Sequence, residues 1–150
     1  MRSSLIFLSL SLAALPVRAS AQGRPVALAD SDLLVAGVAY GADSAAVRAV
    51  LGRPTSTAGR SWGYAGLRIS FQGPRVRQIT ISSSRVATSR GLRIGDPISR
   101  ITELYGPSCS AGAYNYCRTV GDEPDERGIL VQVKNGLVSS IHVGAVFALD

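Results

Sequence analysis

Gly91–Gly106, GLRIGDPISRITELYG, is a glycine-framed entry into one short helix, and the same frame occurs earlier as Gly37–Gly52, GVAYGADSAAVRAVLG. In the first copy Asp43 is placed as the N-cap of Ser44–Leu51, and Val47, Val50 and Leu51 make an apolar stripe at i, i+3 and i+4. Gly52 is set to close the helix in a left-handed conformation, and Pro54 prevents its continuation. In the second copy Asp96 takes the N-cap, Pro97 the first helical position, and Ile98, Ile101, Leu104 and Tyr105 the stripe, with Gly106-Pro107 as the stop. The register is imperfect at the cap, because Ala42 aligns with Asp96.

Each helix leads into strand-like runs. After the first come Ser61–Ala65, Leu67–Phe71 and Val76–Ile81, the last two alternating apolar and polar residues around a Gln72-Gly73-Pro74 turn. After the second come Ala113–Arg118, Ile129–Val133 and Leu137–Val143, with Asn135-Gly136 as a hairpin signal. Val120–Arg127 is an acidic insertion carrying Asp122, Glu123, Asp125 and Glu126. Ser82–Arg90 is a polar connector free of Pro and Gly, able to extend the preceding strand. The fold class expected is α+β: two helix-plus-three-strand repeats, residues 37–84 and 85–150, forming one antiparallel sheet with both helices on one face. The opposite face is left to solvent or to a partner.

The N-terminus stands apart. Arg2, the apolar run Leu5–Leu15 and Ala19-Ser20-Ala21 read as a secretory signal peptide, residues 1–21, cleaved after Ala21. The alternative, a membrane anchor, is disfavoured by a run well short of the ~20 apolar residues a spanning helix needs. Residues 22–36 form a lead-in, mobile over Gln22–Ala29, in which Asp30–Val35 reads as one helical turn capped by Asp30 or Ser31. Without Arg2 and Arg18 the 16 basic residues fall to 14 against 10 acids, a net charge of +4. The arginines are scattered rather than striped, so no nucleic-acid footprint is expected. In an oxidising compartment the two cysteines, Cys109 and Cys117, are expected to pair. So short a loop adds about 2–3 kcal/mol in the chain-entropy picture.

The element G-x-x-x-G-[D/A]-x(4)-[V/I]-x-x-[V/L]-x-G, with a Pro just beyond, then an aromatic-x-aromatic strand and a hairpin, resembles the tandem half-domains of the β-lactamase inhibitory protein-like fold. The same half-domain is found in outer-membrane assembly lipoproteins of the SmpA/OmlA type. The resemblance covers Gly37 to about Val143 and extends to a short bridge such as Cys109–Cys117. It implies a saddle-shaped sheet offering a concave, aromatic-rich face to a protein partner. The chain departs from the inhibitor in lacking an acidic tip near Tyr64–Leu67, and from the lipoproteins in lacking a lipid-bearing Cys.

The candidate binding residues fall into two groups. Trp62, Tyr64, Tyr114 and Tyr116 are equivalent aromatics, suited either to a binding face or to packing beneath the helices. Arg68, Gln78, Thr80, Gln132, Ser140 and His142 lie on the polar parity of their strands, where they would line a wet sheet face, functional or merely solvated. His142 is the chain's only histidine and has no motif around it, so no catalytic residue is assigned. Spacing in the acidic insertion does not suit a calcium loop, and no metal or cofactor is expected. The function read from the sequence is a secreted or periplasmic, non-enzymatic module that binds a protein partner, without a stable membrane anchor. A structural role in envelope assembly is the alternative, and a hydrolase using His142 the least favoured.

Overall fold

The computed structural model describes residues 28–107, 116–120 and 127–145. The chain is α+β. A 3-10 turn, Asp30–Leu33, leads into a two-stranded ribbon of β1 (Leu34–Val35) and β2 (Val38–Ala39). Helix α1 (Ser44–Leu51) follows, then β3 (Ser56–Ala58), β4 (Ser61–Tyr64), β5 (Leu67–Gln72) and β6 (Arg75–Ile81). Helix α2 (Ile98–Tyr105) precedes β7 (Tyr116–Val120), β8 (Arg127–Lys134) and β9 (Leu137–Gly144). The seven-stranded sheet runs β3-β4-β5-β6-β9-β8-β7, with every pairing antiparallel. β6 and β9, the last strands of the two halves, meet at its centre.

The ladder registers explain which residues share a face. Ile69, Ile79, Val143 and Ile129 form one row across four strands, and Leu67, Ile81, Ile141 and Val131 the next. All eight are buried, and they join Val47 of α1 with Ile101 and Tyr105 of α2 in a single core. Both helices therefore cover the same side of the sheet. A strand with period 2 and a helix with period 3.6 each present one apolar surface, and burying these against each other is the main favourable term in folding.

The two helices start and stop in the same way. The first N–H of each donates to the hairpin turn of its own half: Ser44 to the Pro74 carbonyl, 3.0 Å, and Ile98 to the Gly136 carbonyl, 3.0 Å. Gly41 donates to Val76 and Gly95 to Val138, while Val76 and Val138 donate back to Ala42 and Asp96. Asp43 caps α1 as expected, accepting the Ala46 N–H at 2.7 Å. Asp96 does not cap α2. Its carboxylate accepts the Arg93 N–H at 2.8 Å, closing the turn before the helix, because Pro97 rather than Asp96 occupies the capping position. The stops also differ from expectation. Gly52 (φ 77, ψ −154) and Gly106 (φ 80, ψ −161) have positive φ but extended ψ, a region essentially reserved for glycine rather than the left-handed helical one.

The strand boundaries follow the alternation closely, and Asn135 (φ 55) and Gly136 (φ 77) make the two-residue turn between β8 and β9. β3 is an addition: three exposed residues with no apolar alternation, on the sheet's edge. The polar connector does not extend β6, which ends at Ile81. It instead turns back and inserts Thr88 and, just beyond it, Leu92 into the interior. The buried Thr88 hydroxyl lies 2.6 Å from the Tyr105 hydroxyl and accepts the Leu92 N–H at 3.1 Å, so each polar group in this dry region has a partner. The 3-10 turn is where Asp30–Val35 was expected to be helical. Its anchor is Asp32, whose carboxylate accepts the Ala29 N–H at 2.8 Å, rather than Asp30 or Ser31. Leu33 and Val35 are buried in the common core.

Candidate functional site

The face away from the helices is built by the alternate residues of the same strands. One row reads Gly63, Arg68, Thr80, His142, Leu130, and a second reads Ser61, Ser70, Gln78, Gly144, Gly128. Gln132 pairs with Ser140 beside them. The six polar candidates Arg68, Gln78, Thr80, Gln132, Ser140 and His142 thus lie on one face, as their parity implied.

The aromatics do not join them. Trp62 pairs with Ile69, and Tyr64 with Leu67, placing both on the helix-covered side. Trp62 stacks tilted on Phe71 with ring centroids 4.6 Å apart, and Arg48 of α1 sits 4.7 Å over its ring. The Tyr64 hydroxyl donates to the Gly52 carbonyl at the end of α1, 3.4 Å away. Burial pushes the Tyr64 phenol above its ordinary value, and the nearby Arg48 charge opposes this. A two-residue turn at Ala65-Gly66 sets Tyr64 opposite Leu67, so Tyr64 must share the face of that core residue. Of the two placements open to Trp62 and Tyr64, the binding-face one is corrected on that ground, and packing beneath the helices is the one the register gives. In the second half Tyr116 pairs with Val131 in the row that contains Leu67. Tyr114, Cys109 and the acidic residues 122–126 lie outside the described residues.

The polar face is uneven. At the β4–β5 end Arg68 is exposed and borders a shallow cavity of about 220 Å³ with Ser56, Ala58, Ser61 and Gly63. Ser61 and Ser70 hydroxyls bridge the two strands at 3.0 Å. Toward β8 the face closes. Leu130, 0% exposed and outside the core of the helix side, sits beside His142. An apolar run such as Ile129–Val131 buries residues on both faces of a strand, which is why the alternation did not reveal Leu130.

His142 is wedged between two hydroxyls. Its Nδ1 lies 3.3 Å from Thr80 Oγ1, and its Nε2 2.9 Å from Ser140 Oγ. Burial holds the imidazole below its usual value of about 6.5. The neutral ring is satisfied in either tautomer, since each hydroxyl can donate or accept. Because the folded value is depressed, His142 adds stability that is complete above the unfolded value and is lost as pH falls through the folded one. The ring's NMR titration is expected to have a midpoint below 6.5. A midpoint at or above that value would show that the ring is not desolvated. For catalysis, the Ser140–His142 pair lacks a carboxylate on Nδ1, where Thr80 stands instead. Among the described residues no cluster of three or more His, Cys, Asp or Glu could hold a metal ion, and no helix is long and apolar enough to cross a membrane.

No protein-family model and no curated protein matches the sequence. Among solved structures, the chain is similar to an extracellular protein containing a SCP domain from Bacillus anthracis str. Ames. The match has a TM-score of 0.50 and 10% identity, and covers 70% of this chain and 44% of that one. The chain thus spans less than half of that protein's length. The likeness is one of fold.

Proposed function

We propose that the protein is an exported, non-enzymatic binding module whose open sheet face, at its Arg68 end, docks on a protein partner. The observation that carries the reading is the gathering of exposed Arg68 with half-buried Thr80 and Gln78 on the face that neither helix covers, beside a shallow cavity, while the helices bury the other face. Such a face offers directional hydrogen bonding without a deep pocket, which suits a protein surface better than a small substrate. Export is supported by the N-terminal pattern of residues 1–21, and the structural neighbour is itself an extracellular protein.

A tandem duplication of residues 37–84 and 85–150 accounts for the strand order, which reads outward the same way from β6 and β9. It also accounts for the matched helix-to-hairpin hydrogen bonds. These features favour the proposed kinship with β-lactamase inhibitory protein-like and SmpA/OmlA-like half-domains, in which protein recognition is the shared theme. A structural role in envelope assembly is the alternative within the same fold.

Arg68→Glu tests the docking surface. A partner captured from envelope extract by the mature protein should be lost with Arg68→Glu and kept with Arg100→Glu, a change on the exposed side of α2. Equal capture by both variants would remove this face from the function. Cys109 and Cys117 are proposed to form a bridge that ties the segment after α2 to β7. Thiol labelling of the unfolded, non-reduced mature protein should therefore find no free thiol, and two labelled cysteines would refute the bridge.

A further inference from the structure

Toward the tip of the β5–β6 hairpin, at the far end of β5 from Arg68, the ladder slips between Ser70 and Phe71. The slip leaves Arg77 without a Cα partner on β5, between Val76 opposite Phe71 and Gln78 opposite Ser70. Bulges of this kind re-aim a side chain. Here the Arg77 guanidinium turns to Tyr40, donating from Nη1 to the phenol oxygen at 2.9 Å. Arg75, two residues earlier, donates from Nη1 to the Gly41 carbonyl at 3.0 Å. These groups line an open cavity of about 260 Å³, bordered by Tyr40, Gly41, Gln72, Arg75, Val76 and Arg77.

The charge balance of this cavity is unusual. Among the described residues, two guanidinium groups line it and no carboxylate does. The acids on the flanking segments are engaged elsewhere: Asp43 caps α1, and Asp30 pairs with Arg127 at 2.9 Å in the adjoining cavity. Each guanidinium carries five N–H donors and uses one in the bonds above. The Tyr40 hydroxyl accepts from Arg77, so its own proton is left to donate. Two like charges lining one cavity repel, and an anion relieves this while accepting several directional donors.

We propose that Arg75, Arg77 and the Tyr40 hydroxyl form a binding site for a phosphate group. A phosphate carries close to two negative charges near neutral pH, matching the two arginines, whereas a monocarboxylate carries one. The cavity is smaller than those that enclose drug-sized ligands, so it fits a phosphate group rather than a large molecule around it. The site is separate from the docking end, because none of Arg68, Gln78 and Thr80 lines this cavity.

NMR titration of the mature protein with inorganic phosphate, in low-salt, chloride-poor buffer, tests the proposal. Saturable shifts are expected at Tyr40, Gly41 and the Arg75 and Arg77 side-chain N–H groups, with acetate binding more weakly. Arg75→Gln and Arg77→Gln should each weaken phosphate binding by about ten-fold or more, as loss of a charge-assisted hydrogen bond implies. Arg68→Glu should leave it intact, which separates failure of this site from failure of the docking face. Arg75 is exposed, so its variant keeps the test open if Arg77→Gln does not fold. Sedimentation with vesicles containing phosphatidic acid, whose phosphate is a monoester, compared with phosphatidylcholine alone, distinguishes sources. Association abolished by Arg77→Gln or Arg75→Gln assigns a lipid headgroup, and phosphate binding without association assigns a small phosphorylated molecule. Absence of response to phosphate and vesicles alike, or shifts unchanged in both arginine variants, would overturn the site.

Discussion

Gly144→Ala is expected to destabilise the fold by on the order of 3 kcal/mol or more, a large share of the 5–15 kcal/mol that holds a typical domain together. Gly144 ends β9 at the centre of the sheet, opposite Gln78 on one side and Gly128 on the other. Its φ is +115°, which a side chain rarely adopts. A Cβ there would stand 2.6 Å from the Arg77 carbonyl oxygen, 2.9 Å from Tyr40 Cδ2 and 3.2 Å from Gln78 Cα. Two of these are backbone atoms, and the Arg77 carbonyl is held by the Ala145 N–H at 2.9 Å, so the neighbours cannot step aside cheaply. Gly41→Ala supplies the control. Its φ is +78°, yet a Cβ there meets nothing within 4 Å, so only backbone strain of about 1 kcal/mol remains. Urea melts of the two variants should differ clearly in midpoint. A Gly144→Ala midpoint equal to that of Gly41→Ala would mean the two halves do not join at this glycine.

Much of this architecture was legible locally. Ser44–Leu51 and Ile98–Tyr105 were bounded by their stripes and glycine stops, Leu67–Phe71 and the Gln78–Ile81 end of β6 by alternation, and the start of Leu137–Val143 by the Asn135-Gly136 turn. These signals depend on neighbours in the chain, which a sequence displays. The aromatics were harder. Trp62 and Tyr64 share a parity, but which face that parity occupies depends on the turn to the next strand. The two-residue Ala65-Gly66 connection holds that answer, since it places Tyr64 opposite Leu67. Only a count across the hairpin, not the pattern within it, would have put them under α1.

Other features had no local signal. β3 is polar and exposed, so nothing in Ser56–Ala58 distinguishes a strand from a loop. Leu130 looks like its buried neighbours Ile129 and Val131, and its burial on the opposite face follows from register alone. The phosphate-site geometry needs a bulge that displaces Arg77 and a segment 37 residues away to supply Tyr40. In each case the decisive contact is long-range, and periodicity cannot report on it.

Another long-range contact joins the lead-in to the second half, and Asp32→Ala should expose it. The Asp32 carboxylate accepts the Arg90 Nη2 at 2.6 Å and Nε at 2.7 Å, and the Ala29 N–H at 2.8 Å, with the Ser89 hydroxyl at 3.3 Å. Arg90 also donates to the Leu104 carbonyl at the end of α2 and lies 5.2 Å from the centre of the Tyr105 ring. Both side chains are largely buried, 8% and 20% exposed, so removing one charge strands the other in a poorly solvated place. A loss of about 3–5 kcal/mol is expected for Asp32→Ala. Asp32→Ala combined with Arg90→Leu should recover part of it, because no unpaired charge is then left behind. The bond to Arg90 holds the Asp32 carboxyl below its ordinary range, against the opposing effect of burial. Its folded pKa is therefore depressed, and the stability it adds is present above the unfolded value of about 3.9 and is lost as pH falls through the folded one. Wild-type protein should thus weaken steeply in acid, while Asp32→Ala starts lower and follows a flatter acid limb. Parallel acid limbs for the two proteins would show that the Asp32–Arg90 pair does not tie the N-terminal segment to the domain.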